Sequence, residues 1–302
     1  MLRVRRDQFV YSFSPRQAPV GFVEPGERIV FETHDASTSR IRRPEDVHAY
    51  LAVRDPMKVN PAAGPVYVHG VRPGDELVVS IQQIDLAPRG YIRAMPGGDV
   101  LREGIEGPVA VIVPVENDHL YLPGGLCLPV RPMVGVIGTA PASGEVFTAV
   151  PGPQGSNLDV RAVTVGARVH LPVHVDGALL ALGDVHASMG DGEVSGTGVE
   201  IDAEVTVTVD VLSGEAHARP WIETADLLIA TGSAPTPGEA VSHAVEGLTG
   251  LLCERLPISR TEAFMLISAR GDVNFGQTCG GLDCTVYASF PKVDLSLPQE
   301  PA

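Results

Sequence analysis

Between Gly183 and Glu200 the chain reads GDVHASMGDGEVSGTGVE, which sets Asp184, His186, Asp191, Glu193 and Glu200 among glycines with no Phe, Tyr, Trp, Lys or Arg. In an extended segment residues two apart share a side, so Asp184 and His186 should project together. Asp191 and Glu193 form a second such pair, and Gly190 and Gly192 mark a bend that could bring the two pairs close. Crowded carboxylates repel one another unless a cation sits between them, and mixed carboxylate and imidazole donors suit a hard or borderline divalent ion. The same letters also make a solvated, turn-rich loop, because Asp-Gly pairs are ordinary turn formers. A calcium-stabilised loop stays open, although the EF-hand pattern does not: the twelfth position from Asp184 is Ser195, not a carboxylate.

Two further polar clusters stand elsewhere. FETHDAS (31–37) ends a strand-like run with Glu32, Thr33, His34 and Asp35, and GSNLDVR (155–161) places Asn157 and Asp159 two apart. Each reads as a turn as readily as a site. His48, His69, His119, His170, His174, His217 and His243 have no acidic partner at useful spacing and are expected on the surface or packed. No Gly-x-Ser-x-Gly elbow, phosphate-binding loop or dinucleotide fingerprint occurs.

These groups need a scaffold, and the rest of the chain describes one. Short β-branched runs separated by Gly and Pro recur at 26–32, 64–70, 75–86, 107–115, 166–175 and 200–212. Several alternate apolar and polar residues, as in Glu204-Val205-Thr206-Val207-Thr208-Val209-Asp210, the period of a half-buried strand. VEPGERIVFET (23–33) and VRPGDELVVSI (71–81) share a Pro-Gly turn that feeds a strand. Later, Thr236, Pro237 and Glu239 form a helix start before an apolar stripe through Ala240, Ala244, Leu248 and Leu251. Ser259 and Glu262 repeat the device before Gly271, and 281–292 reads as a closing strand. The expected fold is mainly β, sandwich- or barrel-like with many short strands, with a C-terminal α/β region containing two helices. Residues 1–215 form the β-rich body and 216–302 the α/β region, in one integrated domain or two.

Composition bounds the partners. A net charge of -15 and pI near 4.9 argue against nucleic acid or an anionic membrane surface. No run approaches the roughly 18 apolar residues of a membrane span, and the start lacks a signal-peptide core. Cys127, Cys253, Cys279 and Cys284 match no close zinc pattern and read as buried or free thiols in a reducing cytoplasm.

FETHDA near the start, NPAAGPVYVHGVRPGDELVVSI at 60–81, GSNLDVR at 155–161 and LPVHVDGALLALGDVHASMGDGEVSGTGVE at 171–200 occur in an order that resembles the acetamidase/formamidase family. GD-x-HA-xx-GDGE is the most distinctive phrase. The resemblance implies hydrolysis of formamide- or acetamide-type short aliphatic amides to ammonia and the carboxylate. It also implies a mostly β fold, a metal-assisted site and a homo-oligomer. Its site groups fall on Asp35, Asn157, Asp159, Asp184, His186 and Glu193. On this reading Asp35, Asp159, Asp184 and His186, in some subset, hold a divalent metal ion, with zinc first and calcium or manganese also compatible. Glu193 is then the general base, Asn157 bonds the small-molecule amide substrate, and the glycines of 183–198 shape a narrow pocket. Met189 stands where the family usually has glutamine, which bears on the substrate more than on the reaction. Alternatives are a non-catalytic ion-binding β module, or a family member acting on another small amide or a cyclic imide.

Overall fold

Alternation organises the β-rich part. In the computed structural model, which describes residues 1–96, 100–101, 103–278 and 283–292, Ala203–Leu212 is a strand. Its Val205, Val207 and Val209 are buried, while Thr206 and Thr208 on the opposite side are only half-buried. It pairs with Arg28–Thr33 on one edge and Glu76–Leu86 on the other. These neighbours are the two strands that share the Pro-Gly turn. Gly26 and Gly74 have φ of 86 and 93°, the positive values that the third position of such a turn requires and that glycine supplies. The N–H groups of Glu27 and Asp75 close the two turns onto the carbonyls of Glu24 and Arg72.

The same sheet continues through Arg168–Pro172, Trp221–Glu223, Leu227–Ala234, Cys284–Pro291 and Asp272–Gln277, with Leu2–Val4 at its far edge, nine strands in all. A second, seven-stranded sheet includes Met133–Gly138, Leu180–His186 and Ala62–Val68. Phe31, Val79 and Val207 from the first sheet share one core with Val66, Ile137 and Leu182 from the second. Full burial of a side chain of this kind contributes about 1.5–3 kcal/mol, so the two apolar faces hold the sheets together as a sandwich. A third sheet of four strands, Arg89–Ala94, Val109–Glu116, His119–Leu122 and Leu126–Pro129, forms an arm whose last strand is exposed throughout.

Helices α2 (Pro237–Arg255) and α3 (Arg260–Arg270) start as the sequence predicts. The Thr236 side chain accepts the Glu239 N–H, and Ser259 with Glu262 forms a complete capping box. The α2 stripe Ala240, Ala244, Leu248, Leu251 and Leu252 packs on Leu228, Ala230, Val286 and Ala288 of the nine-stranded sheet. Gly232 permits this approach, since a Cβ there would lie 2.2 Å from the Ala240 carbonyl oxygen. Leu227–Ala234 is consequently covered on both faces, with Ile229 in the inter-sheet core and Leu228 under the helix. Strands from both sides of position 215 share this sheet, while α2 and α3 lie wholly after it.

A helix not expected from the sequence, α1 (Asp46–Val53), buries only Val47 and Tyr50 and has no side-chain cap, so it carries little periodic signal. Cys127, Cys253 and Cys284 are free thiols; Cys279 and the first two residues of the expected closing strand lie outside the described residues. No described helix is long and apolar enough to cross a membrane.

Candidate metal and catalytic site

Separate chain segments bring acidic and imidazole groups to one buried place. After Gly155–Asn157 the chain turns, and the N–H groups of Leu158 and Asp159 both donate to the Gly135 carbonyl at 3.0 and 3.1 Å. That seats Asp159 against the middle of Met133–Gly138. Leu180–His186 pairs with the opposite edge of the same strand and carries Asp184 and His186. Glu193 comes from the loop that follows. Glu200 marks where that loop rejoins the sheet, bridged to His186 on one side and Tyr91 on the other.

Small residues keep the centre open. A Cβ at Gly135 would lie 2.4 Å from Asp159 Oδ1 and 3.1 Å from Asp184 Oδ2, and one at Gly198 would lie 2.7 Å from His186 Cγ. Asp159, Asp184 and Glu193 have φ of 47, 55 and 43°. This left-handed region costs a residue with a Cβ about 1–3 kcal/mol; non-glycine residues elsewhere, Asn60 and Ala178 among them, also adopt it.

His186 Nε2 lies 3.2 Å from Glu200 Oε1, 3.7 Å from Asp184 Oδ1 and 3.9 Å from Glu193 Oε1, yet it aligns with none of them as a hydrogen bond. Asp159 Oδ1, Asp184 Oδ1 and Glu200 Oε2 are also buried with no hydrogen-bond partner among the described residues. Two overlapping triads, Asp159–His186–Glu193 and Asp184–His186–Glu200, each hold their ligating atoms within 4.8 Å of one another. Burial raises the Asp159 carboxyl well above its usual range, and the nearby Glu193 and Asp184 add to the effect. Burial also pushes Glu200 up to about 8, against the pull of His186. For His186 burial disfavours the charged ring, but Glu200 and Asp184 outweigh it and the net shift is upward. Packed, unpartnered carboxylates are strongly disfavoured without a positive charge among them. An oxygen-rich set with one imidazole fits a divalent cation, and zinc, manganese and calcium all remain compatible with it. Gly135→Ala is therefore expected to weaken Zn²⁺ or Mn²⁺ binding by about 10–100-fold, the range seen when the groups orienting metal ligands are disturbed. Isothermal titration checks this; unchanged affinity would mean that the strand is not the floor of an ion site.

Of the residues singled out in the sequence, Asp159, Asp184, His186 and Glu193 meet here; Asp35 belongs to neither group of ligating atoms, and Asn157 lies on the strand that flanks Met133–Gly138. Asp35 Oδ1 accepts the Ser37 N–H, the Ser37 hydroxyl and the Ser39 N–H at 2.9, 2.6 and 2.9 Å, closing the turn after its strand. Burial, with Asp202 nearby, pushes its carboxyl up to about 6. Asn157 Oδ1 accepts from Asn60 Nδ2 at 2.9 Å. The expected pairing of Asp191 with Glu193 does not form, because Gly192 and Glu193 both adopt positive φ and break the alternation. Asp191 turns instead to Arg161 Nε and the Tyr287 hydroxyl, each at 2.9 Å. The loop is stitched to the C-terminal strands. Gly192 N–H donates to the Phe275 and Gly276 carbonyls, and the Gly192 carbonyl accepts from Thr278 N–H and Oγ1. A cavity of about 240 Å³ opens beside Glu193.

Sequence reasoning missed two things. Glu200 carried a signal: it lies between Val199 and Ile201, both buried, and an acid inside an apolar run needs a reason to be there. His170 and His217, expected to lack partners, share the buried Glu76 through Nδ1 at 2.7 and 2.6 Å, and Trp221 Nε1–H joins them at 3.1 Å. No spacing links positions 76, 170 and 221. The sheet does so, setting Pro172 opposite Glu76 and Trp221 opposite His170. Burial opposes the charge on Glu76, but the two imidazoles outweigh it and hold the carboxyl at about 2.

Residues 6–149 and 142–236 match the profile described as the Acetamidase/Formamidase family. The structure is similar to that of an acetamidase from Bacillus halodurans, with a TM-score of 0.92 and 36% identity over 98% of this chain and 100% of that one. A predicted acetamidase/formamidase from Thermoanaerobacter tengcongensis superposes with a TM-score of 0.92 and 35% identity, over 97% of this chain and 96% of that one. An acetamidase of Mycolicibacterium smegmatis is 31% identical over 157 residues, 48% of this chain and 37% of that protein. The matches span 37–61% of the length of the curated relatives.

Proposed function

The chain belongs to the acetamidase/formamidase family, and from that premise we propose that it is a metal-assisted amidohydrolase releasing ammonia and a carboxylate from linear amides. The observation that carries this reading is the buried cluster of Asp159, Asp184, His186 and Glu200, four side chains with unpartnered atoms facing one another beside Glu193. Those four would hold the ion, which when bound polarises an amide carbonyl and lowers the pKa of a water molecule to about 7. Glu193 takes the proton from the attacking water and returns it to the amide nitrogen as ammonia leaves. Gly198 N–H donates to Glu193 Oε1 at 2.9 Å and so orients the carboxylate for that transfer. Asn157, whose Oδ1 accepts from Asn60, is the proposed donor to the substrate carbonyl through Nδ2. Asp35 serves as a turn anchor on this reading rather than as a ligand. The same reading makes the protein a cytoplasmic homo-oligomer.

The test is ammonia release from a panel of primary amides, with elemental analysis before and after chelation. We expect about one divalent ion per chain at this site. Activity should fall at least about 100-fold on its removal, the scale of losing one major transition-state interaction, and return when Zn²⁺ or Mn²⁺ is added. A protein that holds its ion but releases ammonia from no amide would be an ion-binding module without this chemistry.

A further inference from the structure

The cavity beside Glu193 has walls that speak to the acyl side of the substrate. It measures about 240 Å³ and is bounded on one side by Ile92, Leu120 and Leu122 of the four-stranded arm, and on the other by Met189, Val194 and Val199 of the signature segment. Glu193 belongs both to this lining and to the metal-type cluster, and Gly198, also in the lining, abuts the His186 ring. The cavity therefore adjoins the place where an amide would react. Its described walls include no Lys, Arg or His, and the carboxylate of Asp191 is already engaged by Arg161 and Tyr287. The described walls thus offer no cation to an anionic acyl chain.

The size of the space decides between small and large acyl groups. An apolar cavity of about 150 Å³ accommodates a benzene ring. Formamide has no carbon beyond the amide and acetamide has a single methyl, so either would leave most of this apolar lining facing water, whereas a larger acyl group would bury it. We propose that the preferred substrates are uncharged primary amides whose acyl group is a branched alkyl or an aryl ring of roughly five to seven carbons, by comparison with the ring that fills the smaller cavity. Leu120, Leu122 and Met189 set the limit on that group. The inference rests on the amidohydrolase reading above and concerns only which amides that site selects.

The experiment compares kcat/KM for formamide, acetamide, isovaleramide and benzamide with the metal-loaded full chain, by ammonia release, in the wild type, Leu122→Trp and Val194→Phe. Each well-placed apolar carbon group discriminates by about 10–200-fold. Isovaleramide or benzamide should thus exceed acetamide by at least about tenfold in the wild type. Leu122→Trp, which fills the cavity, should lower the benzamide-to-acetamide ratio at least about tenfold. Val194 is 60% exposed at the rim, so Val194→Phe narrows the opening with little risk to folding and should lower the ratio in the same direction. Highest kcat/KM on formamide or acetamide, or ratios unmoved by both variants, would overturn the proposed acyl class while leaving amide hydrolysis intact. Ammonia from none of the four amides would overturn the amidohydrolase reading and this inference with it.

Discussion

On the proposed mechanism, Glu193→Gln should keep the bound metal and release ammonia roughly 100- to 10,000-fold more slowly than the wild type, the span typical of a lost general base. The amide replacement is nearly isosteric, and its carbonyl oxygen can still accept the Gly198 N–H that now reaches Glu193 Oε1 at 2.9 Å. What disappears is the capacity to take a proton from water and hand it to the departing nitrogen. Asp184→Asn is the contrast. Asp184 is 2% exposed within a strand whose residues are all buried, and its Oδ1 has no hydrogen-bond partner among the described residues. Removing its charge should empty the site and stop turnover together. Metal analysis beside kcat separates the roles: a Glu193→Gln protein that has lost its ion would make Glu193 a ligand, in line with its place beside Asp159 and His186, and a base would have to be sought elsewhere.

A second large effect is expected far from this chemistry in kind. Glu76→Gln should destabilise the fold by about 3 kcal/mol at neutral pH, with a matching fall in the urea midpoint. The folded Glu76 carboxyl sits at about 2, below its ordinary 4.5. Between those values the unfolded chain holds a proton that the folded one does not, so the stabilisation is complete above about 4.5 and is lost as pH falls towards 2. The gap between wild type and variant should narrow across that interval. Equal midpoints at pH 7, or a gap that stays constant down to pH 3, would remove the special role of the Glu76–His170–His217 network. Burial makes the figure sizeable: Glu76 is fully buried and three side-chain donors converge on it.

How far these features could be read in advance depended on range. The strand at 203–212 declared itself through alternation, and α2 and α3 through caps and apolar stripes, because those signals lie within a few residues. Asp184 and His186 were close enough in sequence for strand geometry to pair them, and their atoms do lie 3.7 Å apart. Asp159 and Glu193 stood out locally only as partners of Asn157 and Asp191, and the family resemblance put them in one site; nothing local says that a turn at 159 and a loop at 193 will share a floor at Gly135 and His186. Asp35 is a local case. Its Asp-x-Ser-x-Ser context is a turn written in local letters, and the structure uses it as one. Glu76 and its two histidines were unreadable because the register of three strands and the loop that carries His217, not any motif, assemble them.

The seam between Gly192 and the Phe275–Gly276 backbone bears on how the polypeptide can diverge. The family profile stops at residue 236, yet the peptide holding the proposed base is moored some forty residues later, and Tyr287 steadies its Asp191 neighbour. Substitutions scattered over the outer helices leave that mooring alone, whereas an insertion or deletion that shifts the hairpin behind them would unseat Glu193 from another part of the gene. The stretch beyond the profile is thereby tied to the signature segment within it.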